Sequence, residues 1–234
     1  MTLLGVDGCR AGWIVAEAAR EDARPRFHLF PSFAELLGAF AAPDALACVD
    51  VPIGLCDEGR PCDREARKLL GQARACSVFT PPSRSALAGD SPAELRRLNL
   101  AATGRSLSAQ SIGILPKIRE VDAAMTPALQ RRMREVHPEL VFASLSPLRR
   151  GLAASKKTEG GRRARLALLP PDWAAAAPSR AARPFPAAAV ALDDYLDALA
   201  ALVTAARLAR GEASRVPREG VDRDARGLAM EIVW

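Results

Sequence analysis

A chain of 234 residues with 49% hydrophobic, 26% charged and 5% aromatic side chains describes one large folded domain, or a domain carrying a sizeable insertion, and excludes a disordered chain. No apolar stretch approaches the roughly 20 residues needed to cross a bilayer. The N-terminal M-T-L-L-G-V-D-G-C-R has no basic flank leading into a long apolar run, so a cytoplasmic protein without a membrane partner is expected. The net charge of +6 is a modest bias toward phosphate-bearing partners, although all but four of the 33 cations are arginine in an alanine-rich chain, as a compositional bias alone would give.

In chain order, Leu3 to Asp7 and Trp13 to Ala18 are apolar runs joined by G-C-R-A-G, which predicts a β-hairpin. Phe27 to Phe30 gives a third strand. Ser32 is then placed to cap a helix from Phe33 to Ala41, and Ala45 to Val51 gives a fourth strand, stopped by Pro52 and Gly54. From Asp57 to Gln130 the spacing turns helical and predicts an insertion (57–130) within a single domain (1–234). Glu135 to Leu145 returns to a strand pattern, Ser155 to Leu169 is a basic segment able to form a helix, and Pro170 to Pro186 reads as an Ala/Pro-rich linker. A long Ala/Leu helix is expected from Ala187 to Arg210, and G-L-A-M-E-I-V-W supplies a closing strand. The fold class is α/β, a mixed sheet with its first three strands antiparallel, flanked by helices.

The five cysteines, Cys9, Cys48, Cys56, Cys62 and Cys76, are odd in number and contain no C-x-x-C pair, which argues against a disulfide scaffold or a zinc ribbon. With only His28 and His137 available, a bound divalent ion would be held by oxygen, which suits Mg2+ or Mn2+ better than zinc. The odd cysteine count and the Ala/Leu helix permit a homodimer without requiring one.

Asp7 closes the first strand and Asp50 the fourth, so the two carboxylates converge if those strands are neighbours. Asp194 and Asp197, three apart in L-D-D-Y-L-D-A-L-A, share a helical face. Clustered carboxylates raise one another's pKa, and a divalent cation removes that penalty. Glu139 in H-P-E-L is a further acid. His137, two residues away, would point to the opposite face of a regular strand, toward a core role. Lys156 and Lys157 in S-K-K-T are placed to neutralise phosphate or developing charge. Arg64, Arg84, Gln110 and Lys117 in the insertion are candidate substrate grips, Arg84 because T-P-P-S-R is a stiff loop, although Glu120 and Asp122 are near enough in sequence to pair with Lys117. Arg10 is close to Asp7 by connectivity. Trp13, Trp173 and Trp234 are expected to pack, and Cys9 to be a small core residue.

The ordered set G-V-D-G-C-R-A-G-W, V-D-V-P-I-G-L, D-R-E-A-R-K-L-L-G, S-V-F-T-P-P-S-R, L-S-A-Q-S-I-G-I-L-P-K-I-R-E-V-D, V-H-P-E-L-V-F, S-K-K-T-E-G and L-D-D-Y-L-D-A-L-A resembles the predicted RNase H-like nuclease family catalogued as domain of unknown function 429. The resemblance runs nearly the full chain and is weakest over 170–186. It implies an RNase H-like fold, distantly similar to RuvC-type resolvases, and a nuclease acting on nucleic acid through two Mg2+ or Mn2+ ions. In that pattern Asp7, Asp50, Asp194 and Asp197 hold the metals, with Glu139 and Lys156 as further catalytic candidates. Arg10, Arg64, Arg84, Gln110, Lys117 and Lys157 would contact the substrate. Two other readings stay open. The D-G-x-x-x-G turn also resembles the phosphate-holding turn of actin-like phosphotransferases, and the domain could bind nucleic acid without cleaving it.

Overall fold

The computed structural model describes residues 1–234. Three strands, β1 (Leu3–Cys9), β2 (Gly12–Ala18) and β3 (Arg26–Phe30), form an antiparallel meander. A short helix, α1 (Phe33–Ala39), follows; Ser32 caps it by accepting the Glu35 N–H, as expected. The chain then returns as β4 (Leu46–Val49), parallel to β1.

A helical stretch lies between β4 and the next strand. It comprises α2 (Pro61–Arg74), α3 (Pro92–Thr103), α4 (Ala109–Gly113), α5 (Leu115–Ala124) and α6 (Pro127–Gln130). Prolines occupy the first turn of α2, α3, α5 and α6, where the missing N–H costs no helical hydrogen bond. β5 (Met133–Glu135) then pairs parallel with β4 and completes a five-stranded sheet of order β3-β2-β1-β4-β5.

The strand expected from Glu135 to Leu145 is corrected by the structure, because β5 ends at Glu135 and α7 (Pro138–Leu145) begins almost at once. Pro138 cannot donate to a sheet ladder but suits a helix N-terminus. The four residues Leu140 to Ala143 are all buried, so there is no exposed face to read as alternation. Past α7, the basic segment is helical only over α8 (Glu159–Leu166), and the supposed linker contains α9 (Pro171–Ala176). Trp173 anchors α9 in the core, its indole N–H donating to the Ala23 carbonyl at 3.2 Å.

The Ala/Leu helix is α10 (Leu192–Ala209), buried continuously from Tyr195 to Ala206. Its small side chains are used against the sheet and leave no apolar stripe for a second copy there. Beyond it, β6 (Arg215–Val216) and β7 (Ile232–Val233) make a two-stranded ribbon, and Val233 bridges to Val136 beside β5. The sheet thus has a core on each face. One side packs α10 against Leu3, Ile14, Ala16 and Cys48; the other packs Leu4, Val6, Val15 and Val49 against Phe33, Ile118 and Val121.

The contact that fixes α10 is made by Gly5. A Cβ there would lie 2.0 Å from the Ala198 carbonyl oxygen and 2.2 Å from the Leu202 nitrogen, so only glycine lets the strand and helix backbones meet. Side chains two apart on a strand share a face. Asp7 therefore points to the same side as this contact, toward the helix that carries Asp197. No helix is long and apolar enough to cross a membrane.

Candidate metal centre

Asp7 and Asp50 are brought together by register. Val6 of β1 sits opposite Val49 of β4, and the Asp50 N–H donates to the Val6 carbonyl at 2.9 Å, so the two acids lie side by side at one sheet edge. The loop after Asp50 is braced from below. Glu135 Oε2 accepts the Ile53 N–H at 2.6 Å and pairs with Arg60, whose guanidinium also faces Asp63. This buried group is not visible as a motif, since Glu135 meets the local Arg60–Asp63 pair only through the fold.

Asp197 completes the cluster from α10. One carboxylate oxygen from each of Asp7, Asp50 and Asp197 lies within 4.8 Å of the others. Asp7 and Asp197 are 7% and 2% exposed, a depth at which a carboxylate is costly without compensation. Lys156 supplies part of it, forming an ion pair with Asp197 Oδ2, while Asp197 Oδ1 is buried with no hydrogen-bond partner. If all three carboxylates are ionised, they and the one ammonium carry two net negative charges, which a divalent ion would balance.

Without an ion, the surroundings favour the protonated acids. Burial, and then the charges of Asp197, Asp50 and Asp194, push the Asp7 carboxyl well above its usual range. Burial pushes Asp50 up to about 7 against the opposing pull of Lys156, and Asp197 up to about 6 against the same lysine. Burial lowers His137, whose ring meets the Ser77 carbonyl at 3.2 Å; it heads α7 as the N-cap instead of alternating along a strand, a packing role in either case.

Asp194 stands one turn earlier on α10 and is used differently. Its carboxylate accepts the Ala191 N–H at 2.8 Å, capping the helix start, and burial raises it to about 6. It lies outside the trio that converges, though close enough to act on Asp7 through charge.

Glu139 is also close by, adding to the negative potential at Asp50 and Asp197, but both its oxygens are held by Arg165. Arg165 is fully buried and also donates to the Ala154 carbonyl at 2.8 Å, two residues before Lys156. Glu139 therefore positions the loop that carries Lys156. Spacing could not show this, because the partner lies 26 residues on in a segment rich in arginine.

The remaining candidates divide by location. Lys117 runs its aliphatic stem past Gly8, beside Asp7, with its ammonium 4.7 Å from the Trp13 ring centroid and 3.5 Å from Glu120. Arg10 is exposed in the β1–β2 turn. In the same turn the Ala11 N–H donates to the Ala189 carbonyl at 3.2 Å, which leaves it unavailable to a phosphate. Arg64 and Gln110 line a polar cavity of about 770 Å3 within the insertion, to which the acidic trio does not contribute. Arg84 is committed to structure, bridging Asp122 and Asp224 and donating to the Leu55 carbonyl. It ties the insertion to the C-terminal segment, and Asp122 serves Arg84 and Arg226, not Lys117. Lys157 lines a second cavity, of about 470 Å3, next to the cluster.

A mixed five-stranded sheet with helices on both sides, bearing three converging carboxylates, two of them buried, beside its central strands β1 and β4, defines an α/β protein with a candidate divalent-metal site of all-oxygen ligands. Residues 5–221 match the family described as "Protein of unknown function (DUF429)", and the chain belongs to that family. No curated protein and no solved structure matches the chain.

Proposed function

We propose that this protein is a divalent-metal-dependent nuclease of RNase H-like type, hydrolysing phosphodiester bonds in nucleic acid with Mg2+ or Mn2+ as cofactor. The observation that carries the reading is the converging trio of Asp7, Asp50 and Asp197, two of them buried, in surroundings that disfavour their ionisation without a cation, and with one Asp197 oxygen that no protein group satisfies. Hard divalent ions prefer oxygen ligands, and this donor set fits them. Asp7 and Asp50 from adjacent parallel strands and Asp197 from α10 would hold the ion. When bound, it would supply charge neutralisation and an activated water for attack at phosphorus.

The chain's own groups account for the rest. The Gly5 contact and the Glu135 brace fix the acids before any ligand arrives, so binding requires little reorganisation of the site. Lys156, held at the cluster by Asp197, is placed to meet a phosphate oxygen as negative charge builds on it. The strand order, with three antiparallel strands followed by two parallel ones, supports the RNase H-like reading. The engaged Ala11 N–H weighs against a phosphate-holding turn of the actin-like kind.

The test is calorimetric titration of Mn2+ and Mg2+ into wild type and Asp7→Asn, followed by a panel of RNA, DNA and hybrid substrates at saturating metal. Binding and cleavage that are both lost in Asp7→Asn support the reading. Cleavage that persists in the purified variant, against a vector-matched control preparation, overturns it.

A further inference from the structure

Beside the acidic cluster lies a groove of about 470 Å3 whose walls come from three separate stretches of chain: the Lys156–Arg162 segment, the Arg180–Ala187 segment and the start of α10. Five cations line it, Lys156, Lys157, Arg162, Arg180 and Arg183, against the three acids Glu159, Asp193 and Asp194. The acids are largely engaged locally. Glu159 pairs with Arg162 at 2.8 Å, and Asp194 caps α10 by accepting the Ala191 N–H. The cations are less so. The Lys157 ammonium and the Arg180 guanidinium have no side-chain partner and Arg183 reaches only the Arg180 carbonyl, whereas Arg162 is held by Glu159 and Lys156 by Asp197. Because Asp193 and Asp194 sit in the first turn of α10, the positive potential comes from these side chains and not from the helix end.

We infer that this groove is the track for a nucleic-acid backbone, with Lys157, Arg180 and Arg183 gripping phosphates adjacent to the one presented to the carboxylates. The inference rests on the nuclease reading and extends it to the substrate's form, a polymer and not a mononucleotide. The geometry behind it is continuity. Lys156 lines the groove and also pairs with Asp197, so the groove's inner end is the wall of the metal centre. Cations beyond that point serve no purpose for a single phosphate at the centre, but they match a chain that carries a charge at every residue.

The experiment is fluorescence anisotropy of labelled oligonucleotides in EDTA, which keeps hydrolysis silent, over a series of salt concentrations. RNA and DNA of one sequence, single- and double-stranded, form the four arms and identify the polymer. For the best-bound strand, Arg180→Gln/Arg183→Gln should weaken binding about tenfold or more. It should also flatten the dependence of log K on log salt by about 0.7 for a single strand, or about 0.9 for a duplex, for each phosphate left without its cation. Lys157→Gln should flatten it by the amount that corresponds to a single phosphate. Arg97→Gln, on the exposed side of α3 and paired only with Glu94, should change neither. Thermal melts of each variant confirm that the fold is kept.

Wild-type binding with an unchanged slope in both groove variants overturns the track while leaving the nuclease reading in place. Competition by a nucleoside monophosphate as potent, per phosphate, as the oligonucleotide overturns the polymer assignment. Failure of the wild type to bind any arm, with or without Mn2+, overturns the track together with the nuclease reading.

Discussion

Arg165 holds both carboxylate oxygens of Glu139, with Nη2 at 2.8 Å from each, and uses its Nη1 to fix the Ala154 carbonyl just ahead of Lys156. A buried, bidentate pair of this kind is costly to break from one side, since the survivor is left charged and unsolvated. Arg165→Ala should therefore lower stability by about 3–5 kcal/mol in chemical denaturation. Glu139→Gln keeps the shape but leaves Arg165 unpaired and removes negative potential at Asp50 and Asp197, so it should also lower stability, while Mn2+ affinity should fall by about tenfold at most. A much larger loss in calorimetry would make Glu139 a ligand after all.

Asp7→Asn removes a ligand and also relieves repulsion. Burial and three neighbouring acids all oppose ionisation of Asp7, so the neutral amide should leave the metal-free melting temperature equal to or above that of wild type. Mn2+ binding should fall by a factor of about 100 or more, roughly 2.7 kcal/mol. Scanning calorimetry and titration calorimetry read the two effects separately.

Stability of the metal-free protein should depend on pH through the same groups. An acid whose folded pKa is raised binds its proton more tightly in the folded state, so its favourable contribution is complete below the unfolded value of 3.8 and is lost as pH rises. With Asp197 raised to about 6 and Asp50 to about 7, the loss falls between pH of about 4 and 7. Saturating Mn2+ should cancel it, so the melting-temperature gap between Mn2+ and EDTA should widen across that window. Binding at pH 6 should release protons, measurable by repeating the titration in buffers of different ionisation enthalpy. A gap that does not change with pH would show that the trio is ionised without a metal.

Lys156 and a bound cation compete for the same carboxylate. Removing the ammonium with Lys156→Met should tighten Mn2+ binding, by about tenfold or 1.4 kcal/mol, while lowering the rate of hydrolysis. A purely structural lysine would move both downward together. Direct titration beside single-turnover kinetics distinguishes the two patterns.

Arg84→Ala should behave as a folding lesion. It strips a partner from Asp224, whose side chain is fully buried, and releases Asp122, at a cost of about 2–4 kcal/mol in denaturant melts. Oligonucleotide affinity, measured below the unfolding transition, should be unchanged, since the guanidinium is fully engaged within the protein.

Much of this architecture is written locally. The hairpin, the Ser32 cap and the Ala/Leu helix follow from periodicity and turn chemistry, whereas Asp7 and Asp50 converge because β1 and β4 pair in parallel, a condition that the sequence left open. What stays hidden depends on partners distant in sequence. An apolar run after H-P-E looks the same as a buried strand or a buried helix, and only the proline favours the helix observed at α7. Arg165, Arg180 and Arg183 do not stand out in a chain where arginine is abundant, because their roles arise from which segments the fold brings next to Lys156 and Glu139.

The missing side chain at Gly5 works as a gauge. It sets how closely α10 can approach β1, and so the span between Asp7 on the strand and Asp197 on the helix, while neither acid touches it. Oxygen ligands sit at about 2.0–2.1 Å from Mg2+ and about 2.3–2.6 Å from Ca2+, a difference smaller than the bulk of one methyl group. The spacing of the carboxylates, on which the fit of any ion would depend, is in this sense set by an atom the protein does not have, at a position without chemistry of its own.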